Sequence, residues 1–252
     1  KSVYEIALEW DRLAPIRDQQ IRSGKDYTFE HLNCPIMSEL LNKHSSGTIL
    51  DIGCGTGHFT KHISDRFKRV IGIEPSVKSC NIARSVCGGV KNISIRNSTL
   101  EEYSLTGCVP VNQKVESACA VMVLMNVPNL RDFISALSRT LPVGGLFSTI
   151  LTHPSGWPRY WGYEEKKWFN YNKEIFIEAP FKISQEKTEL VTTHIHRPVN
   201  SYMHALQEGG LDLSRCSSLY HKMPIERQCW SMKNIQGSLL CNGLNPEAEN
   251  LW

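Results

Sequence analysis

The chain has no C-x-x-C pair, no long run of one charge sign, no internal repeat and no low-complexity tract. Nor does it hold an apolar run long enough to span a membrane. Each absence removes a class of protein. Without paired cysteine spacing, zinc ribbons and thioredoxin-like redox sites drop out. Without a basic block or a large charge excess, nucleic acid is a poor partner: 28 basic residues face 25 acidic ones, a formal charge of +3. Nine cysteines, an odd number, do not make a disulfide framework. Several sit in apolar stretches such as SACAVMVL, so they read as reduced, buried thiols of a cytoplasmic protein. Asn92-Ile-Ser and Asn97-Ser-Thr match the glycosylation sequon, but with no secretory signal in view they read as chance. The first residue is Lys1 rather than Met, which leaves the natural start of the protein open.

What is present is ordinary globular composition. Hydrophobic residues make up 41% and charged residues 21% of 252 positions, enough for one large α/β domain with a sizeable core. Residues 3 to 22 have helical periodicity, with Val3, Ile6, Ala7, Trp10, Leu13 and Ile16 on one face and Pro15 expected to end or kink the helix. A second helix is expected over about Pro35 to Lys43. From there strands and helices alternate with short connections. TILDIG, RVIGIEP, NISIRN, SACAVMV and LFSTILTH read as strands, and HFTKHISDRF, VKSCNIARSV and residues 130 to 140 as helices. That alternation predicts a doubly wound, mostly parallel sheet with helices on both faces, of about seven strands.

After His153 the texture changes. HPSGWPRYWGYEEKKWFNY is aromatic and poor in periodicity. IFIEAPFKIS and ELVTTHIHRP suggest a hairpin, VNSYMHALQEGG a helix, and SLLCNG a final strand. The organisation expected is a single domain. It divides into a helical cap over 1–44, a cofactor-binding core over 45–153, an inserted substrate lid over 154–197, and the C-terminal part of the sheet over 198–252.

The stretch most charged with meaning is TILDIGCGTGHFTKHI, which places Gly53, Gly55 and Gly57 directly behind an apolar strand. A glycine-rich turn between strand and helix puts bare backbone at the carboxyl edge of a parallel sheet, where ligands of open α/β folds bind. Unpaired N–H groups of the first helical turn favour an anionic group there. The spacing is G-x-G-x-G rather than the dinucleotide G-x-G-x-x-G. Its companion is Glu74 at the end of the second strand, where a carboxylate can accept from both hydroxyls of a ribose.

LDIGCGTGHFT followed by VIGIEPS resembles the class I S-adenosylmethionine-dependent methyltransferases, and the resemblance extends through VESACAVMVLMNVPNLRDFISALSRTLPVGGLFSTILTHP, to about residue 153. His196-Arg197-Pro198, Tyr202 and Leu206 are similar to a segment of the small-molecule branch of that family. The resemblance implies a Rossmann-like fold, S-adenosyl-L-methionine as cofactor and S-adenosyl-L-homocysteine as product. Asp51, Gly53, Cys54, Gly55 and Gly57 would line the methionine end, Glu74 the ribose, and Pro75 and Ser76 the adenine. Asn97 and Ser98 stand where many members carry an aspartate for the adenine amino group. Ala120, Val121 and Met125 would lie against the cofactor, with Trp10 and Tyr27 closing over it.

For the acceptor, the aromatic segment nominates Trp157 and Tyr160, joined by Asn126 and Tyr202. His153, at the end of the fifth strand, is the expected general base, with His196 as a second catalytic candidate. No metal is expected. The Asn/Asp-Pro-Pro-Tyr motif of amino-methylating nucleic-acid and protein enzymes is absent; the comparable loop reads Met125-Asn126-Val127-Pro128. The expected partner is therefore a small-molecule acceptor, methylated on oxygen or nitrogen, with neither nucleic acid nor membrane involved. Two other readings stay open: a non-catalytic protein that binds the cofactor or its product, and an NAD-dependent oxidoreductase.

Overall fold

The computed structural model describes residues 1–44, 46–106, 114–183, 186–219 and 227–234, with backbone only at 186, 187 and from 213 onward. The first helix, α1, spans Val3–Arg22. A capping box closes its start: Ser2 accepts from the Glu5 N–H, and the Glu5 carboxylate accepts from the Ser2 N–H. The helix continues through Pro15 to Arg22, so Pro15 does not end it. One backbone bond is lost there, but burial of Leu13 and Ala14 beside it holds the turn in place. One π-helical turn, Phe29–Asn33, leads into α2, Cys34–Leu41.

Five strands then form a parallel array: β1 Thr48–Ile52, β2 Arg69–Glu74, β3 Ile93–Asn97, β4 Ser117–Val121 and β5 Leu146–Thr152. Their order is β3-β2-β1-β4-β5. Between them lie α3 His58–His62, α4 Val77–Val86, α5 Leu100–Leu105 and α6 Leu130–Thr140. α3 is shorter than expected: after it the chain tightens into a 3₁₀ turn, Ser64–Arg66.

Strand pleating divides the core in two. Leu50, Ile71, Ala118 and Leu151 face one apolar cluster with Phe133 and Leu137 of α6. Their neighbours Ile49, Val70, Cys119 and Ile150 face the other, with Met37 and Leu40 of α2 and Phe59 of α3. A sheet covered on both faces buries its central strands throughout, as in β1, where Ile49, Leu50 and Ile52 are joined by buried Thr48 and Asp51.

After β5 come α7 Gly156–Trp161 and an antiparallel hairpin, β6 Ile175–Ile183 with β7 Glu186–His196, separate from the main sheet. α8, Val199–Glu208, returns to the core. β8 Leu211–Leu219 and β9 Arg227–Asn234 then add to the β5 edge, with β9 antiparallel to β5 and β8 antiparallel to β9. Sequence reading placed a final strand at SLLCNG, which lies outside the described residues, and did not anticipate β8 and β9. No described helix is long and apolar enough to cross a membrane.

Candidate active site

β1 is where the strand order reverses: the chain winds outward through β2 and β3, then returns to the other side as β4. The carboxyl ends of β1 and β4 thus leave a crevice that no crossover helix covers. A cavity of about 590 Å³ fills it. Its floor is the loop after β1, its sides are Glu74 and Pro75 at the end of β2 and Val121–Val123 at the end of β4, and α1 forms its roof through Ile6, Ala7, Trp10 and Ala14.

The glycines of the loop do three different things. All three have positive φ: 64° at Gly53, 54° at Gly55 and 79° at Gly57. A Cβ on Gly53 would strike Val123 at 2.7 Å, and one on Gly57 would strike Ala83 at 2.9 Å. Those two permit close packing against the loop after β4 and against α4. A Cβ on Gly55 would meet nothing within 4 Å, and Gly55 lines the cavity. Gly55 therefore keeps space clear beside the bare loop backbone.

Glu74 crosses from β2 to this loop. Its carboxylate accepts from the N–H of Gly55 at 2.9 Å and of Ser76 at 2.8 Å. Burial nevertheless pushes its pKa up to about 7, against the lowering effect of those two bonds. Asp51, in β1, is buried as well and accepts from the Thr60 hydroxyl at 2.6 Å, and burial raises it to about 6. Two carboxyl groups on one cavity wall thus sit near their titration points.

α1 is anchored along its length. Asp11 accepts from the Ser76 hydroxyl at 2.6 Å and the Lys78 N–H at 2.9 Å. Asp18 meets His58 Nε2 at 2.7 Å. Glu9 accepts from the Thr193 N–H of β7 at 2.6 Å.

A second cavity of about 100 Å³ adjoins the first and shares Trp10, Arg17, Asn33, Met122 and Asn126 with it. Its far wall holds Trp157, Tyr160 and Trp161 of α7, Phe181 and Lys182 of β6, and His194 of β7. Met122, between the two, has a φ of 62°, a conformation that non-glycine residues seldom hold.

Of the residues nominated from sequence, Trp10, Asp51, Gly53, Cys54 and Gly55 line the larger cavity, as do Glu74, Pro75, Ser98, Val121 and Asn126. Trp10, Met125, Asn126, Trp157 and Tyr160 line the smaller one. The others lie elsewhere, each for a local reason. Tyr27 is half exposed, with its ring 4.2 Å from His31. Gly57 starts α3. Ser76 caps α4, and Asn97 donates to the carbonyls of Glu74 and Pro75. Ala120 is core, its carbonyl accepting from Thr149. His153 lines neither cavity; its Nδ1 accepts from the Ser155 N–H at 3.2 Å in the turn after β5. His196 is buried, its Nε2 2.9 Å from the Tyr171 carbonyl. Tyr202 is buried in the core beside Arg197.

Sequence reasoning missed Arg17, Asn33, Met122 and Lys182; Trp161 belongs to the aromatic segment it singled out, and His194 shares a strand face with His196. Arg17 was within reach, since Trp10, Ala14, Arg17 and Ile21 continue one helical face. Lys182 and Met122 gave no signal: one is a charge on a half-exposed strand, the other an apolar residue whose backbone angle is invisible in sequence. Among the described residues no group of three or more His, Cys, Asp or Glu side chains is arranged to hold a metal.

Comparison with known proteins bears on this site. The family described as "Methyltransferase domain" matches residues 26–195. An uncharacterized methyltransferase of Oceanobacillus iheyensis is 38% identical over 90 residues, 34% of this chain and 39% of that one. The matched segment thus spans about two fifths of that relative's length. In fold, the chain is similar to an S-adenosylmethionine-dependent methyltransferase of Listeria monocytogenes at TM-score 0.63 and 15% identity, covering 81% of this chain and 97% of that one. It is also similar to an N-methyltransferase of Bradyrhizobium japonicum solved with S-adenosyl-L-homocysteine, at TM-score 0.58 and 15% identity, covering 82% and 88%. With the strand order, the crevice at the β1–β4 reversal and the family match over 26–195, the chain belongs to the methyltransferase-domain family and has its Rossmann-like α/β fold.

Proposed function

We propose that this chain is an S-adenosyl-L-methionine-dependent methyltransferase that methylates an oxygen or nitrogen of a small-molecule acceptor. The observation that carries the reading is the pair Gly55 and Glu74 on one cavity wall. The residues fit the cofactor. Gly55 leaves open the space a side chain would fill, and the Glu74 carboxylate, held by two backbone N–H groups, keeps acceptor capacity for ribose hydroxyls. Asp51 and the loop from Gly53 would hold the amino-acid end, Pro75 and Ser98 the adenine, and Trp10 and Val121 would close around it.

When bound, the cofactor supplies a methyl group on a sulfonium, already activated for attack by a nucleophile. What remains for the protein is positioning and exclusion of water. α1 roofs the cavity and shields it. The loop after β4, with Met122 and Asn126 in both cavities, would set the acceptor against the methyl-bearing end. Segment 154–197, with α7 and the β6–β7 hairpin, would serve as the acceptor lid on a core of residues 45–153. The segments 1–44 and 198–252 would act as cap and sheet extension. His153 is given no part in proton transfer in this scheme, and neither is His196.

Calorimetric titration of the purified chain with S-adenosylmethionine, S-adenosylhomocysteine and NAD tests the proposal. Binding of the first two without NAD is expected. Binding of NAD alone would replace the reading with an oxidoreductase. Cofactor binding without methyl transfer to any member of a broad acceptor panel would favour a binding protein over an enzyme.

A further inference from the structure

Resting on the function proposed above, we propose that the smaller cavity is the acceptor site and takes a single aromatic ring bearing an anionic oxygen group, such as an aromatic hydroxy acid. Its volume of about 100 Å³ is below the roughly 150 Å³ of a cavity that holds benzene, so a ring seated here would extend into the adjoining larger cavity.

The walls are flat and aromatic. Trp157 and Tyr160 stack with centroids 5.5 Å apart, Trp161 stands edge-on to Trp157 at 5.6 Å, and Phe181 meets Trp10 edge-on at 5.7 Å. A ring lying against them gains area and edge-to-face contact.

Such a set of rings would ordinarily attract a cationic ligand. Here the protein supplies its own cation: Lys182 Nζ lies 4.1 Å from the Tyr160 centroid and 4.9 Å from that of Trp161, donating to the Tyr160 carbonyl at 2.7 Å. A second ammonium would meet like charge at the faces it needs. Asp26, a carboxylate that also lines this cavity, adds little pull on a cation, because Arg17 pairs with it at 2.6 Å.

The polar atoms point the same way. The indole N–H groups of Trp157 and Trp161 are buried and have no hydrogen-bond partner among the described residues. Buried donors left unpaired cost stability, so a ligand offering acceptor oxygens repays that cost on binding. Asn33 Oδ1, buried and likewise unpartnered, lies on the boundary of the two cavities, where it can accept from a ligand hydroxyl. A carboxylate or phenolate toward the indoles, with a hydroxyl toward Asn33, would satisfy the three unpartnered atoms and set its charge beside Lys182.

The test is calorimetric titration of the full chain, saturated with S-adenosylhomocysteine, with 4-hydroxybenzoate and with tyramine. These probes share a phenol ring and differ in the sign of the charge. 4-Hydroxybenzoate is expected to bind at least tenfold more tightly than tyramine. Lys182→Met and Trp161→Phe are each expected to weaken it at least fivefold, with affinity for S-adenosylhomocysteine kept within twofold as the check on folding. Tyramine binding as tightly as 4-hydroxybenzoate would overturn the proposal. So would absence of both from a chain that binds S-adenosylhomocysteine, or indifference of 4-hydroxybenzoate to both substitutions. Failure of S-adenosylhomocysteine itself to bind would instead remove the methyltransferase reading, and this inference with it.

Discussion

The guanidinium of Arg197 donates to the carbonyl of Val127 at 2.7 Å, although the two residues are 70 positions apart. The same side chain, almost wholly buried, also reaches the carbonyls of Leu124 and Pro128 and the carboxylate of Glu174. Arg197 thus ties the loop after β4 to the end of the β6–β7 hairpin. That loop carries Asn126, whose amide donates to the Thr193 carbonyl at 2.7 Å, so its shape is set from the hairpin side by two links. Arg197→Met should strand the buried carbonyls of Leu124 and Val127 and the half-buried one of Pro128, and cost roughly 3 kcal/mol. For a chain of this size that lowers the melting temperature by roughly 6–12 °C. Scanning calorimetry checks it; an unchanged midpoint would mean the carbonyls find other donors.

Glu74→Ala should weaken S-adenosylhomocysteine binding at least tenfold by calorimetry, since ribose hydroxyls would lose a charge-assisted partner. Glu74→Gln should fall between the parent and the alanine variant. Unaltered affinity in both would take Glu74 out of the site.

Gly55 and Gly57 should respond differently to alanine. At Gly57, positive φ and the 2.9 Å approach of Ala83 act together, so the variant should lose about 1–3 kcal/mol in denaturant unfolding. At Gly55 only the backbone is strained and the new methyl enters the cavity. That variant should lose about 1 kcal/mol but bind S-adenosylhomocysteine at least tenfold more weakly. The reverse ranking would count against Gly55 as the ligand-facing glycine.

Protonation gives a further handle. The Glu74 pKa is raised by burial from 4.5 to about 7, so the folded protein holds a proton that the unfolded chain has released. The resulting stabilisation is full below about pH 4.5 and is lost as pH rises through 7. Asp51, raised from 3.8 to about 6, acts in the same sense at lower pH. Ligand-free protein should therefore lose stability between pH 5 and 7, and Glu74→Gln should flatten that slope. Cofactor affinity should run the other way, rising with pH up to about 8 as Glu74 ionises. A parent and Glu74→Gln variant with parallel melting curves at pH 5, 6 and 7 would show that Glu74 does not titrate there.

His153→Ala should leave affinity for S-adenosylhomocysteine within twofold and loosen the turn in which its ring accepts from the Ser155 N–H. A tenfold loss in calorimetry would bring His153 back to the site.

The larger cavity was legible in sequence because its lining includes residue types that are informative in themselves. Three glycines behind an apolar strand, and an acid at the end of the next strand, report backbone angle and charge directly. The aromatic density of residues 157 to 171 drew attention to the second cavity for a similar reason. What sequence could not supply was direction. His153 and Ser76 occupy plausible positions along the chain, yet their side chains turn into a loop and a helix cap. Ser76 still bears on the cavity indirectly, through Asp11 of its roof. The strands β8 and β9 were missed because their sequences, LDLSRCSSL and RQCWSMKN, mix polar and apolar residues without the predominantly apolar run of β2, RVIGIE.

Trp10 belongs to both cavities, and the helix that bears it is fastened at Asp11 and Asp18 to the sheet side and at Glu9 to the hairpin side. Neither compartment can therefore open independently of the other by way of α1. Under the function proposed above, a swing of α1 large enough to admit a nucleoside would break the same fastenings that wall in the smaller cavity. Cofactor exchange by that route would then disassemble the acceptor site, and a seated acceptor would delay the departure of spent cofactor, so turnover would be sequential with the cofactor product last to leave.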